Sequence, residues 1–344
     1  MSDGSKIEWL CAPGYRPATW NPTRGCSRVS KGCKNCYAER VARRFSGPGM
    51  PYERLVDAKG RWTGQVKIVY KKLGEPMRWR DPRMVFVDSM SDLFHEAVPD
   101  EWIDQVFAAM ALCPQHRFLV LTKRPARMQE YLSQSAVTGR IFGHYMRMGR
   151  AAQCLADPNL SALFPWPLPN VWLGVSVEDQ ATADERIPLL LDTPAAVRWI
   201  SAEPLLDPLD LSNIPWPASH VSFPDSDDIT ALRPALVELE GTRIDWVVAG
   251  GESGPDARPS HPDWFRSLRD QCQLASKRSG VGFPFFFKQW GDWAPNCLCD
   301  SAHAHPTTPR PSPGKPGVMF RCGKRNAGRL LDGREWNEYP VTDP

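Results

Sequence analysis

Cys26, Cys33 and Cys36 stand in GCSRVSKGCKNCYAERVARRF, a C-x6-C-x2-C arrangement that sets three thiols within eleven residues. The three are too close for a good disulfide network, and soft thiolates on a Gly-containing loop suit a metal centre. A structural zinc site takes four protein ligands. A 4Fe-4S cluster held by three cysteines leaves one iron open to a substrate or cofactor, and an open iron implies catalysis. The alternative is a zinc knuckle closed by a distant residue, with Cys11, His95 or the group Cys297, Cys299, His303 and His305 as donors. That reading makes the chain a non-catalytic zinc- or cluster-stabilised nucleic-acid-binding protein. Cys113, Cys154 and Cys272 are isolated and read as small residues without a role.

The elements that must carry such a loop follow from hydrophobic pattern. Apolar runs at 84–89, 117–123, 170–179, 197–204, 244–253 and 282–290, with an earlier one at 18–22 leading into Cys26, each end in small, polar or charged residues. Runs apolar throughout suit a parallel sheet covered on both faces. Between them, 99–113, 125–134, 182–192 and 261–280 read as helices, the last starting near a proline and ending at Gly280. About seven alternations of strand and helix predict an α/β chain built as a parallel (β/α) barrel, full or partial, with a C-terminal extension. The expected organisation is a barrel over 1–293 with the cysteine loop at 25–37 and insertions at 139–168 and 205–243, a low-complexity loop at 294–318, and a tail at 319–344.

In a barrel the carboxyl ends of the strands converge on one mouth, so polar residues just past each apolar run are site candidates. They are Asp88, Ser91, Asp92 and His95; Thr122, Lys123 and Arg124; Ser176, Glu178 and Asp179; Ser201 and Glu203; Gly250, Gly251, Glu252 and Ser253; Lys288 and Gln289. Each alone is equally well a cap, a turn or a buried ion pair. Lys123, Arg124, Arg258 and Lys288, with Gln289 beside them, make a candidate rim for a phosphate-bearing substrate. For the helix residues Arg40, Arg43 and Arg44, solvated surface charge is the preferred reading.

The cysteine segment, followed in order by VFVDSMSDLFH, LTKRP, WLGVSVED, SAEPLL, VVAGGESGPDARP, FFFKQWG and GRLLDGREWNEYP, resembles the phage-associated gp37/gp68-like family of three-Cys-motif proteins over nearly the whole chain. That family is in turn similar to radical S-adenosylmethionine enzymes, whose usual spacing is C-x3-C-x2-C; here the first gap is six. The resemblance implies that the three cysteines ligate a 4Fe-4S cluster and that S-adenosylmethionine is cleaved reductively to a 5'-deoxyadenosyl radical acting on an unidentified substrate. It places Asp88 to Asp92, including Ser91, at the cofactor amino group, and Ser176 and Glu178 at its ribose or carboxylate. Glu203, Gly250, Gly251 and Glu252 complete the expected cofactor set. An electron donor of flavodoxin or ferredoxin type is implied, a companion protein is an open partner class, and nucleic acid or a modified nucleotide is the first substrate guess.

Bulk composition adds boundaries. The 344 residues carry a net charge of only +3, so no global field announces a nucleic-acid or membrane partner. The N-terminal segment lacks the basic start and apolar run of a secretory signal, and no run of about 18 uncharged apolar residues occurs. The expectation is a cytoplasmic protein, not a membrane one, whose ten cysteines sit in a reducing compartment.

Overall fold

The computed structural model describes residues 4–149, 164–215, 232–233, 236, 242–295 and 319–341. Cys154, Cys297, Cys299, His303 and His305, most of the loop at 294–318 and much of the insertion at 205–243 lie outside those residues. Seven parallel strands form one sheet in chain order: β1 (Arg16–Trp20), β2 (Arg83–Val87), β3 (Arg117–Thr122), β4 (Val171–Ser176), β5 (Val197–Ala202), β6 (Trp246–Gly250) and β7 (Phe285–Gln289). With β1 and β7 as the ends of that order, the topology is the partial form of the (β/α) barrel. Every residue of β4, β5 and β6 is buried, which is why these segments are apolar throughout rather than alternating.

The chain divides into two compact units. The first comprises residues 1–29, 38–175 and 192–198, the second 30–37, 176–191 and 199–344. In the first, β1 to β4 pair in register, with Trp20 opposite Val87 and Val85 opposite Phe118. Its longer helices are α1 (Tyr37–Arg44, whose first residue belongs to the second unit), α2 (Asp100–Ala111), α3 (Pro125–Leu132) and α4 (Val137–Met148). Helix α4 opens the stretch expected as an insertion, where two glycines and a histidine obscure the helical period.

In the second unit, α5 (Gln180–Leu191) begins at a local cap: Asp179 Oδ1 accepts the Thr182 N–H at 3.0 Å, and Thr182 Oγ1 accepts the Glu178 N–H at 2.9 Å. Helix α6 (Pro262–Ser279) starts on a His261 cap with proline in its first turn and stops at Gly280 in the left-handed conformation (φ 72°). Residues 330–339 cover the outer side of β7. Phe285 N–H donates to Glu338 Oε2 at 2.9 Å, Phe287 N–H to Trp336 O at 3.0 Å, and Trp336 packs edge-on to Phe285. The tail thereby satisfies the donors of an edge strand. Among the described residues, no helix is long and apolar enough to cross a membrane.

Candidate metal and cofactor site

Cys26, Cys33 and Cys36 are all half-buried and none is disulfide-bonded. Cys26 belongs to the first unit, Cys33 and Cys36 to the second.

In the first unit, the chain leaves β1 at Trp20 and reaches Cys26 through Gly25, which has φ 91° and leaves no room for a side chain against the Gln65 carbonyl. Ser91 Oγ donates to Gly25 O at 2.6 Å, so the loop after β2 pins the residue before the first cysteine. Arg124, at the start of α3, is buried and reaches several partners. Its Nη1 donates to Asp92 Oδ2 at 3.0 Å and contacts Cys26 Sγ at 3.8 Å, its Nε donates to Glu96 at 2.9 Å, and its Nη2 to Ser27 Oγ at 2.6 Å. A guanidinium beside a thiol favours the thiolate, which is the ligand form. Asp92 also accepts from Thr122 Oγ1 at 2.7 Å and from the Lys123 N–H at 3.1 Å, so its carboxylate is filled by the protein. His95 Nε2 bonds Ser27 Oγ at 3.0 Å and its Nδ1 accepts the Ala97 N–H at 3.1 Å, so both ring nitrogens are engaged. Burial and the Arg124 charge hold its pKa below the usual imidazole range.

Asp88, one residue past β2, differs from these. It is buried, sits at φ 53°, and uses Oδ1 to accept the Thr23 N–H at 2.9 Å, while its Oδ2 has no hydrogen-bond partner among the described residues. Burial pushes its carboxyl up to about 8, against hydrogen bonding from Thr23 that works downward. The folded-state value lies above the unfolded one, so the group's contribution to stability is whole below about pH 4 and is lost as pH rises toward 8, at about 1.4 kcal/mol per pH unit. Asp88→Asn is therefore expected to flatten the decline in urea midpoint between pH 5 and 8. An unchanged slope would show that the carboxyl is already ionised in the fold.

In the second unit, Lys31–Cys33 form a 3-10 turn. Ser30 Oγ donates to Glu178 Oε1 at 2.9 Å and lies 3.9 Å from Cys33 Sγ, Lys31 pairs with Asp179 at 3.3 Å, and a side chain at position 32 would collide with the Glu178 carboxyl. Glu178 has no exposed surface and is countered by Arg186 of α5 at 3.3 Å, which also donates to Ser176 O at 2.6 Å. Asn35 Nδ2, next to Cys36, donates to Glu252 Oε2 at 3.0 Å and to Asp256 O at 2.6 Å. Glu252 is held by Arg258 through Nε and Nη2, at 2.8 and 2.6 Å. Burial works upward on its pKa, yet the bonds from Arg258 and Asn35 carry it below the usual range.

The remaining expected residues are packed into the same unit. Glu203 pairs with Lys288 at 3.0 Å and accepts from Ser201, and Ser176 Oγ donates to its carbonyl at 3.2 Å. A side chain on Gly250 would strike the Glu203 carboxyl, and one on Gly251 the Trp290 carbonyl, so these glycines admit the protein's own groups. Gln289 bridges Gly251 O and Gly291 N–H. Thus Asp92, Arg124 and Ser91 gather around the Cys26 end, while Glu178 and Glu252 gather around the segment of Cys33 and Cys36. Ser27, Ser30, Asn35 and Arg186 contact these candidate residues, and the sequence reading left them out. Arg186 carried a signal: it is a charge on the buried face of α5, beside Ala183, Ile187 and Leu190.

The donor set, three thiols with a guanidinium at one of them, fits an iron-sulfur cluster. Among the described residues no three His, Cys, Asp or Glu side chains are arranged as a preformed metal site. The ligand assignment therefore stands on donor chemistry.

The chain belongs to a family described only as a protein family of unknown function, DUF5131, whose model matches residues 4–340. No curated protein matches the sequence. Among solved structures, a cysteine-to-serine mutant of spore photoproduct lyase is similar at 10% identity and a TM-score of 0.38, covering 93% of this chain and 71% of its own.

Proposed function

We propose that this family member is an iron-sulfur enzyme of the radical S-adenosylmethionine type, with Cys26, Cys33 and Cys36 as the cluster ligands. The observation that carries the reading is the way the thiols are held. Three half-buried cysteines lie within eleven residues on a loop after the first strand of a parallel sheet, with an arginine at Cys26 and buried carboxylates on the segment of the other two. Ring nitrogens of His95 already engaged by Ser27 and Ala97 argue against that residue as a fourth, closing ligand.

A 4Fe-4S cluster bound there would supply the electron for reductive cleavage of S-adenosylmethionine. The chain's own residues have narrower tasks. Arg124 sets a positive charge beside the Cys26 sulfur and, through Asp92, fixes the loop after β2 to the start of α3. Asp88 offers a buried carboxyl oxygen with no hydrogen-bond partner among the described residues, and a ligand ammonium placed there would draw the group to its ionised form, which suits the amino group of the cofactor. Glu178 and Glu252 act as anchors of the cysteine segment. The cofactor-binding set thereby narrows to Asp88 and the open metal vertex, with Ser176, Glu203, Gly250 and Gly251 shaping the strand ends. An electron donor of flavodoxin or ferredoxin type and a reducing, cytoplasmic setting belong to the same proposal.

The test is anaerobic reconstitution with iron and sulfide. Wild type is expected to take up about four irons per chain and to release 5'-deoxyadenosine when given dithionite and S-adenosylmethionine. Cys33→Ala is expected to hold no cluster, because two thiolates cannot retain a cubane. Unchanged iron in Cys33→Ala, or a colourless wild type with stoichiometric zinc, would overturn the reading.

A further inference from the structure

Three of the four cations singled out at the strand ends are consumed by the protein itself: Arg124 by Asp92 and Glu96, Arg258 by Glu252, and Lys288 by Glu203. Positive charge is instead concentrated between residues 40 and 80, where eleven Lys and Arg face three carboxylates, so the rest of a chain with net charge +3 is net acidic. One of those carboxylates, Glu75, is taken by Lys72 at 2.8 Å. Arg43, Arg44, Lys59 and Arg61 are exposed and have no ion pair among the described residues. Arg43, Lys59 and Arg61 are also close in space, and Arg44 follows Arg43 in α1. The Arg43 side chain lies over Gly60, with Lys59 and Arg61 on either side of that glycine, and Asp57 is the carboxylate of that turn, spending Oδ1 on the Lys59 and Arg61 N–H groups.

Flat apolar surface accompanies the charge. Phe45, directly after α1, is 48% exposed and Tyr70 is 72% exposed. The segment is fastened to the first cysteine within the same unit. Gly64 N–H donates to Cys26 O at 3.2 Å, and Trp62 N–H donates to Glu39, which also pairs with Arg28 at 2.5 Å.

We propose that residues 40–80 form a nucleic-acid-binding face, with phosphates on Arg43, Arg44, Lys59 and Arg61 and a base stacked on an exposed ring. Exposed cations in one segment with exposed aromatic rings match a backbone of regular negative charge carrying stackable bases. An acidic protein would use the cations and leave the rings idle. As the name of a substrate class this rests on the enzymatic reading of the cysteine loop; as a binding face it is tested by binding alone.

Full-length protein, with and without reconstituted iron, is titrated against fluorescein-labelled 20-mer single-stranded and duplex DNA by anisotropy across a salt series. Wild type is expected to bind with a dissociation constant of about 1–100 μM at physiological salt, weakening steeply as salt rises. Arg43→Glu/Arg61→Glu is expected to lose at least tenfold in affinity and to show a shallower salt slope, with its thermal midpoint unchanged. Lys277→Glu/Arg278→Glu, the same charge change on exposed residues of α6, should shift affinity by no more than about twofold. Equal loss in both pairs would reduce the effect to overall charge and overturn the proposal. So would absence of binding by wild type at low salt, or a double reversal that disrupts only an acidic flavodoxin-type protein. Retained DNA binding alongside a failed iron assay would keep this face and remove the enzyme.

Discussion

Arg186→Leu is expected to lower folding stability by about 3–5 kcal/mol, measured as a shift in urea midpoint. Both members of the Arg186–Glu178 pair are almost wholly buried, and removing the cation leaves a carboxylate with no exposed surface that has lost its buried counter-charge. The same carboxylate accepts from Ser30, so the damage is predicted to reach the cysteine segment, lowering iron retention even where the protein stays folded. Glu178→Gln/Arg186→Met separates the effects. Removing both charges together should restore most of the stability, because no unpaired buried charge is left and an amide costs far less to bury than a carboxylate. Iron retention should recover only if the amide still accepts from Ser30. A single-variant loss below about 1 kcal/mol would mean that water reaches Glu178.

Arg124→Leu is the second large effect, again about 3–5 kcal/mol, since Asp92 would lose its buried cation. Arg124→Lys is the more telling variant. A single ammonium can compensate Asp92, but it cannot also reach Glu96, Ser27 and Cys26 in the fork geometry that the guanidinium provides. The lysine variant is expected to keep at least half the stability lost in Arg124→Leu and yet to bind iron less tightly. Cys26 alkylation by iodoacetamide should slow at neutral pH in both variants, as the thiolate fraction drops. Unchanged alkylation would remove the arginine from any role at the sulfur.

The strands could be read from sequence because their burial on both faces leaves uninterrupted apolar runs, and the structure finds all seven within a few residues of the expected positions. Helix α6 announced its ends through proline and glycine. Helix α4 did not, because Gly139 and Gly143 lower helical preference while packing against α2 supplies what propensity lacks. The strand-end polar residues were found as a set, but their tasks were not. Whether Glu178 faces a ligand or Ser30 depends on a contact across 148 residues of sequence, and whether Arg258 is available depends on Glu252 six residues earlier turning toward it. Pattern shows where a polar side chain stands, while its partner is a matter of tertiary geometry. Arg43 and Arg44 show the converse, since exposed charge reads as bland until the other cations prove to be occupied.

The covering of β7 by residues 330–339 has a consequence for biosynthesis. Phe285 and Phe287 leave the ribosome about fifty residues before Glu338 and Trp336, which accept their outward N–H groups. For that interval the last strand of the sheet is a sticky seam in a nascent protein, with three consecutive phenylalanines behind it. A chain stalled or cut after residue 320 would be released with the seam open, and neighbouring copies could zip onto it. Quality of the finished product thus hinges on the final stretch being translated, far along the chain from Cys26, Cys33 and Cys36.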